Sequence, residues 1–480
     1  MPIPKIIHQL WIGPRPMPSK FMDTWKEKHP DFEYIRWTEE ELLKQRIIFE
    51  CLTPIRRMSE INGKADIIRW ELLYHFGGIF IDADSICIER LDDQFLSKPS
   101  FAGFENETAR NGLVATGTMG FPPKHPLCRA AIDWILNNDT CPETTNLKAW
   151  FTVGPVLLTR LLDTGKYSDF AVYPSYTFLP YHFTGLKYEG HKKVYAYQEW
   201  GSTKQNYEIM NSIELPEDLR EPSQWVSVLV SSYNTKHVYI SECIESIKNQ
   251  NGHFGIELVW INDGSDELNT KLLELELEKF KKNTRWTNVL YKKMDKNMGI
   301  SYCLNAGIEM CSNEIIVKMD SDDIMFPDRI KKQLQIMNTT DYVMCGSNVH
   351  MFSILNNNNN NNKNYLQLTN HLEIITWENY QQTKSHWFMN HPSLCYRKSA
   401  ILEVGNYNTE MGSMSEDFEL ELRILKKYGK VYNIQEPLLH YRIHSDQTTY
   451  NGKSSTQECV NKRNQIINYH CLTTNRNRIP

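Results

Sequence analysis

Twice along the chain an apolar run ends in two aspartates one residue apart. Asp82 and Asp84 interrupt IFIDADSICI, and Asp320 and Asp322 close EIIVKMDSDD. Each acid pair follows a strand, helix, strand, helix rhythm, which predicts an α/β fold with a mostly parallel sheet. In open sheets of that kind ligands collect at the carboxyl ends of strands. Side chains at i and i+2 share a face while a strand lasts, so both members of a pair can face one cleft.

The first half opens with the strand-like KIIHQLWI, a helix around Phe21 to Lys28 and a second strand, FEYIRW. From Ala65 to Phe76 the apolar residues Ile68, Leu72 and Phe76 recur at helical spacing and mark a buried face. Gly77 and Gly78 supply a C-terminal stop. After a polar segment with two prolines, IELPEDLREPSQ, the rhythm restarts at WVSVLVSSYN, with Ile240, Ile244 and Ile247 on one helix face. We expect domains at residues 1–204 and 225–480, a linker at 205–224, and a surface loop at the seven asparagines 356–362. A chain of 480 residues is long enough for two cores of ordinary size.

The bulk numbers narrow the function. Lys+Arg 53 against Asp+Glu 58 leaves no basic excess for a nucleic-acid partner. No apolar run is long enough to span a membrane, and the N-terminal residues lack a secretory pattern. The 11 cysteines follow no spacing framework, which fits reduced thiols and a cytoplasmic location. His8, His125 and His253 have no metal-ligand spacing and read as structural.

Paired carboxylates suit a hard divalent cation, Mg²⁺ or Mn²⁺, that shares its oxygen shell with a diphosphate. On the preceding helix Asp66 and Arg69 lie three apart on one face, apt for sugar hydroxyls and phosphate, or else for a surface ion pair. A D-x-D at a strand end also marks phosphatases with a nucleophilic aspartate. Those want Thr or Val where Ile86 stands and a downstream Lys and acidic pair that is not evident.

KADIIRWELLYHFGGIFIDADSICIERL resembles the sugar-binding region of glycosyltransferase family 32, with IPKIIHQLWIGPRPMP and WKEKHPDFEYIRW ahead of it in family order. The likeness covers about residues 3 to 205. It implies a GT-A-like, Rossmann-like domain with anomeric retention. Trp11 would lie against the nucleobase, Asp66 and Arg69 on donor sugar and phosphate, Asp82 on the donor and Asp84 on the metal. The closing segment reads AYQEWGST, with Gln198 where the family often has histidine. Glu199 or Ser202 would then substitute as a ligand, or the domain is a degenerate sugar-binding module.

WVSVLVSSYNTKHVYISECIESIKNQ, ELVWINDGSDE and NMGISYCLNAGIEMCSNEIIVKMDSDDIMFPDRI resemble glycosyltransferase family 2 over about residues 225 to 450. The resemblance implies a second GT-A-like domain, working with inversion. Asn234 would sit on the nucleotide-binding lip, although Ser231 replaces a usual proline. Asp263 would recognise uracil, Asp320 the ribose and Asp322 the metal on the diphosphate. Asp417, in GSMSEDFELELRI, matches the base that deprotonates the acceptor, and is otherwise a helix N-terminal acid favoured by the macrodipole. In LHYRIHSDQTT, Arg442 would steady phosphate and His444 complete the metal shell. The Q-x-x-R-W signature of processive members is absent, and His391-Pro392-Ser393 falls on the acceptor side.

The expectation is therefore a bifunctional transferase with one Mn²⁺ or Mg²⁺ per domain. It would move sugars from nucleotide sugars, UDP-sugars by family habit, to a glycan or protein acceptor. Two sites on one chain would favour successive additions. The alternative is one active C-terminal transferase beside a degenerate N-terminal domain. The sugars, the linkage and the oligomeric state are not written in the sequence.

Overall fold

The computed structural model describes residues 2–45, 47–357, 360–411, 415–445, 447 and 457–472. The chain forms two compact units. The first comprises Met1–Tyr188 and Lys193–Leu219, the second Glu189–Lys192 and Arg220–Pro480.

In the first unit the strands are β1 (Ile6–Leu10), β2 (Glu33–Trp37), β3 (Gly78–Ile81), β4 (Ser85–Cys87), β5 (Phe101–Asn106), β6 (Arg110–Val114), β7 (Thr118–Phe121), β8 (Ala171–Tyr173) and β9 (Ala196–Gln198). A seven-stranded sheet runs β2-β1-β3-β7-β5-β6, with β8 also on β5. β1 pairs parallel with β2 and β3, and β3 pairs antiparallel with β7. The acid-bearing strand β3 thus lies mid-sheet, and Ile79, Phe80 and Ile81 are buried.

The helix Ile61–Phe76 feeds directly into β3. It is less amphipathic than its spacing predicts. Every residue from Asp66 to Leu73 is buried, whereas Phe76 keeps 37% of its surface. The charged residues can be enclosed because each has a partner. Glu71, for instance, accepts the Glu50 and Cys51 amides at 2.8 and 2.6 Å. The predicted glycine stop is present: Gly77 has φ +65, and a Cβ there would sit 2.5 Å from the Pro123 nitrogen.

The predicted linker is largely part of the first unit. Residues 207–212 and 217–219 form short 3₁₀ turns, and Met210 and Leu219 pack on Phe21, Ile86 and Tyr197. Two apolar anchors in a polar, proline-bearing segment are enough to seat it.

In the second unit the strands are β10 (Trp225–Ser232), β11 (Gly255–Asn262), β12 (Thr287–Lys293), β13 (Ile315–Asp320), β14 (Ile324–Met325), β15 (Met344–Asn357), β16 (Asn360–Leu368), β17 (Ile374–Thr376), β18 (Cys395–Arg397) and β19 (Lys430–Arg442). The ten-stranded sheet runs β12-β11-β10-β13-β18-β15-β19-β14, with β16 also on β15 and β17 on β19. Its first four strands are parallel, as expected, and β18 extends them antiparallel from β13. The helix His237–Lys248 buries Ile240, Ile244 and Ile247 on one face. The asparagine run is not a loop in its described part. Asn356 and Asn357 pair with Asn361 and Asn360 and prolong the β15–β16 ladder, while 358 and 359 lie outside the described residues.

None of the eleven cysteines is joined in a disulfide. Among the described residues no helix is long and apolar enough to cross a membrane.

Candidate functional site

In the first unit the strand ends one residue before the first acid. β3 stops at Ile81, and β4 leaves to pair with β9 in a separate two-stranded sheet. Asp82 and Asp84 therefore do not share the face of a continuous strand; they sit at a break. The Asp82 carboxylate takes the Arg69 guanidinium at 2.5 Å on one oxygen and the Gln198 amide at 3.0 Å on the other. Asp84, buried, accepts the Gly201 amide at 2.8 Å, and its carbonyl accepts the Glu199 amide at 2.9 Å. Burial first, and then the charge of Asp82, push the Asp84 carboxyl upward.

Asp66 and Arg69 form no surface pair. Both are buried, 3.3 Å apart, and Arg69 also bonds the Thr116 carbonyl and lies 4.5 Å over the Phe80 ring. Burial raises the Asp66 carboxyl to about 6, against the pull of Arg69. A buried guanidinium linking two carboxylates organises the site from below. Trp11 is half-buried, edge-on to Tyr207 at 5.4 Å, with its indole N–H donated to the Arg15 carbonyl at 3.0 Å. Of the two substitute ligands, Glu199 is engaged by Tyr197, by Asn206 at 2.8 Å and by Lys204 at 2.9 Å, so its carboxylate is not held open for a cation. Ser202 is exposed.

In the second unit Asn234, Asp263 and Asp320 lie at the carboxyl ends of β10, β11 and β13, which are sheet neighbours, while Arg442 and His444 come from the end of β19. Asn234, at φ +48, gives its amide to Ser265 and accepts that of Asp266, both at 2.9 Å, tying the β10 and β11 loops together. Asp263 is spent on backbone: its oxygens accept the Met298 and Gly299 amides at 2.6 and 3.0 Å. It shapes the edge that a base would meet. Thr235 reaches Ser321 at 2.8 Å.

Asp320 is the last residue of β13 and pairs with Lys318. Asp322, in the turn beyond, meets the His444 Nε2 at 2.8 Å, so these two predicted ligands are brought together. Asp323 is fully buried and raised by that burial and by Asp322; one of its oxygens accepts the Arg442 amide at 2.8 Å. Its other oxygen and the His444 Nδ1 are buried without a hydrogen-bond partner. The Asp322–His444 pair fits a hard cation that takes its remaining ligands from diphosphate and water.

Arg442 does not stand in the cleft as a phosphate ligand. It is 1% exposed, donates to the Asp322 carbonyl at 2.7 Å, pairs with Glu242, and lies 4.2 Å over the Tyr239 ring. It holds the acid turn from behind. Among the described residues no three His, Cys, Asp or Glu side chains form a ready-made metal cage.

Asp417 opens the helix Glu416–Tyr428; Gly412, Ser413 and Met414 before it lie outside the described residues, as do Asp446, Thr448 and Thr449 beyond His444. It is half-buried and accepts the Phe418 amide at 2.7 Å, while Glu419 beside it is committed to Arg423 at 2.6 Å. His391 is buried and bonds the Tyr407 hydroxyl at 2.8 Å. His8, 0% exposed and held by Trp37 at 3.0 Å, is structural as expected. His125 caps its helix by accepting the Leu127 amide at 3.2 Å. Sequence reasoning passed over Lys318, Glu242 and Gln9, whose amide holds the Asp82 carbonyl at 3.2 Å. Only Lys318 carried a signal, a lone charge inside an apolar strand.

Comparison with known proteins agrees with this geometry. Residues 18–102 match the glycosyltransferase sugar-binding region containing a DXD motif, and residues 227–405 match glycosyl transferase family 2. The O-antigen biosynthesis glycosyltransferase WbnJ of Escherichia coli is 32% identical over 248 residues, 49% of this chain and 89% of that protein. The amylovoran biosynthesis glycosyltransferase AmsE of Erwinia amylovora is 29% identical over 225 residues, 46% and 77% of the two chains. Inositol phosphoceramide mannosyltransferase 2 of Schizosaccharomyces pombe is 30% identical over 175 residues, 34% of this chain and 47% of that one. Two α/β units each carry an acid pair at or just past the end of a strand, and the chain is a glycosyltransferase: it belongs to glycosyltransferase family 2 through its second half and carries the DXD sugar-binding region in its first.

Proposed function

We propose that the chain performs two successive sugar transfers from nucleotide sugars, UDP-sugars in the first instance, to a glycan acceptor. The second unit inverts the anomeric centre and the first retains it. The carrying observation is the Asp322–His444 pair at 2.8 Å in the turn just beyond β13, two acceptors that could share a cation with a diphosphate. Two relatives named for O-antigen and amylovoran biosynthesis favour a glycan over a protein as acceptor.

In the second unit Asp322 and His444 would hold Mn²⁺ or Mg²⁺, which when bound offsets the charge of the departing nucleoside diphosphate. Asp320 would hold the ribose, and the Asp263-braced loop would border the base. Asp417 takes the proton from the acceptor hydroxyl. That oxygen then forms its bond to the anomeric carbon on the face opposite the breaking sugar–phosphate bond. In the first unit Asp84 would hold the cation, with Asp82 and Asp66, linked through Arg69, facing the donor. A cytoplasmic location accords with free cysteines throughout.

A second reading has one specific observation behind it. Gln198 donates to the Asp82 oxygen at 3.0 Å, where a ligating histidine would leave it open. The first unit would then bind a glycan without turning it over.

The test is a panel of UDP- and GDP-sugars with Mn²⁺ or Mg²⁺, scored for nucleoside diphosphate release before and after chelation. Release of two distinct sugars that chelation abolishes supports the two-transfer reading. Release of one sugar supports the second reading, and release unaffected by chelation contradicts both.

A further inference from the structure

β13 alternates strictly. Ile315, Val317 and Met319 enter one hydrophobic core, and Ile316 enters the other, on the face that also receives Phe418 and Leu420 of the Asp417 helix. Lys318 and Asp320 share that second face by the two-residue period. A hydrophobe at position 318 would simply continue the core. Instead Lys318 is 0% exposed, with its ammonium on the Asp320 carboxylate. Enclosing an ammonium is unfavourable unless nearby negative charge compensates it.

That charge comes from Asp320 on the same strand and from the carboxylates of the Glu416–Tyr428 helix. Burial and then Asp417 push the Glu416 carboxyl up, and Lys318 opposes the rise. Burial and Asp417 likewise raise Glu421, opposed by Arg463 and Lys318. Burial and then Lys318 hold His391 well below its ordinary value, so this imidazole is neutral and adds no competing cation. The ammonium therefore pairs directly with Asp320 and acts at longer range on Glu416 and Glu421 of the helix that carries Asp417.

We propose that Lys318 is a positioning residue for transfer in the second unit. Its sealed ammonium aims the Asp320 carboxylate at the donor and offsets the negative charge around Asp417 on the acceptor side. The inference rests on the proposed roles of Asp320 and Asp417. Lysine suits the task as a compact point charge on a stem that fills apolar space. It links the two halves of the site without touching either substrate.

The test uses the full chain and the donor found active for the second unit. In Lys318→Met we expect donor KM to rise and kcat to fall, each by about tenfold, as for loss of a charge-assisted bond. Lys318→Arg should recover both to within about threefold. In an Asp320→Asn background, Lys318→Met should leave donor KM unchanged while the kcat loss persists, because only the acceptor-side effect remains. Should Lys318→Met fail to fold, Lys318→Gln, which keeps a polar end without charge, takes its place.

A folded Lys318→Met or Lys318→Gln enzyme with wild-type KM and kcat overturns the proposal. So does a KM effect that is equally large in the Asp320→Asn background. If Asp417→Asn retains full turnover, the parent reading fails instead and carries this one with it.

Discussion

Asp417 owes its proposed role to what its neighbours already do. Glu419 is committed to Arg423 and Glu416 is buried, which leaves Asp417 as the half-exposed acid of the first helical turn. Asp417→Asn should lower kcat by about two to four orders of magnitude with donor KM nearly unchanged, read in steady-state assays. A loss confined to KM would place Asp417 in binding rather than proton removal. Arg442 supplies a contrasting case. Its guanidinium is enclosed by Tyr239 and Phe352 and braces the Asp322 carbonyl. Arg442→Met should lower the melting temperature of the second unit by several degrees and weaken Mn²⁺ binding about tenfold, measured by calorimetry.

Histidine burial gives a pH signature. Desolvation lowers His8 to about 4 against an ordinary 6.5. The unfolded chain thus binds the extra proton first, and stability falls as pH drops from 6.5 toward 4, by about 3 kcal/mol in the limit. Urea midpoints at pH 7 and pH 5 should diverge more in wild type than in His8→Gln. Equal divergence in the two proteins would remove His8 from the account.

At the scale of elements, the helix Ile61–Phe76 and strand β3 show both what local pattern conveys and where it stops. The glycine stop was legible because a φ of +65 with backbone 2.5 Å from a would-be Cβ admits little else. Gly77→Ala should destabilise the first unit by more than about 1 kcal/mol in chemical denaturation. The break after Ile81 was not legible. Apolar alternation continues from IFI through SICI, and only the pairing of β4 with β9, more than a hundred residues on, pulls the strand apart. The contacts that set the acids are similarly remote. Asp84 to Gly201 spans 117 positions and Asp323 to Arg442 spans 119. The asparagine run misled in the opposite direction. Polar composition reads as loop, yet the described asparagines satisfy their backbone groups by pairing across the ladder.

For the whole molecule, repetition was the most informative feature. Two acid-terminated strands predicted two α/β units, and the length of the chain supplied room for both. The sequence bracketed the unit boundary, which falls between Leu219 and Arg220, but could not show that single anchors such as Met210 and Leu219 seat much of the linker in the first unit. It also could not show which carboxylates are already engaged. In the first unit Arg69 and Gln198 hold both oxygens of Asp82, whereas in the second Asp323 keeps one oxygen unpartnered.

The most direct measurement compares Asp84→Ala and Asp322→Ala chains, each given the active donors and a glycan acceptor, with products resolved by NMR. Asp322→Ala should abolish the linkage formed with inversion and Asp84→Ala the linkage formed with retention, each by at least about two orders of magnitude, and only the linkage of the unit that acts first should survive loss of the other. If either chain still makes both linkages at the wild-type rate, the acid pairs are not the centres of transfer and the account fails.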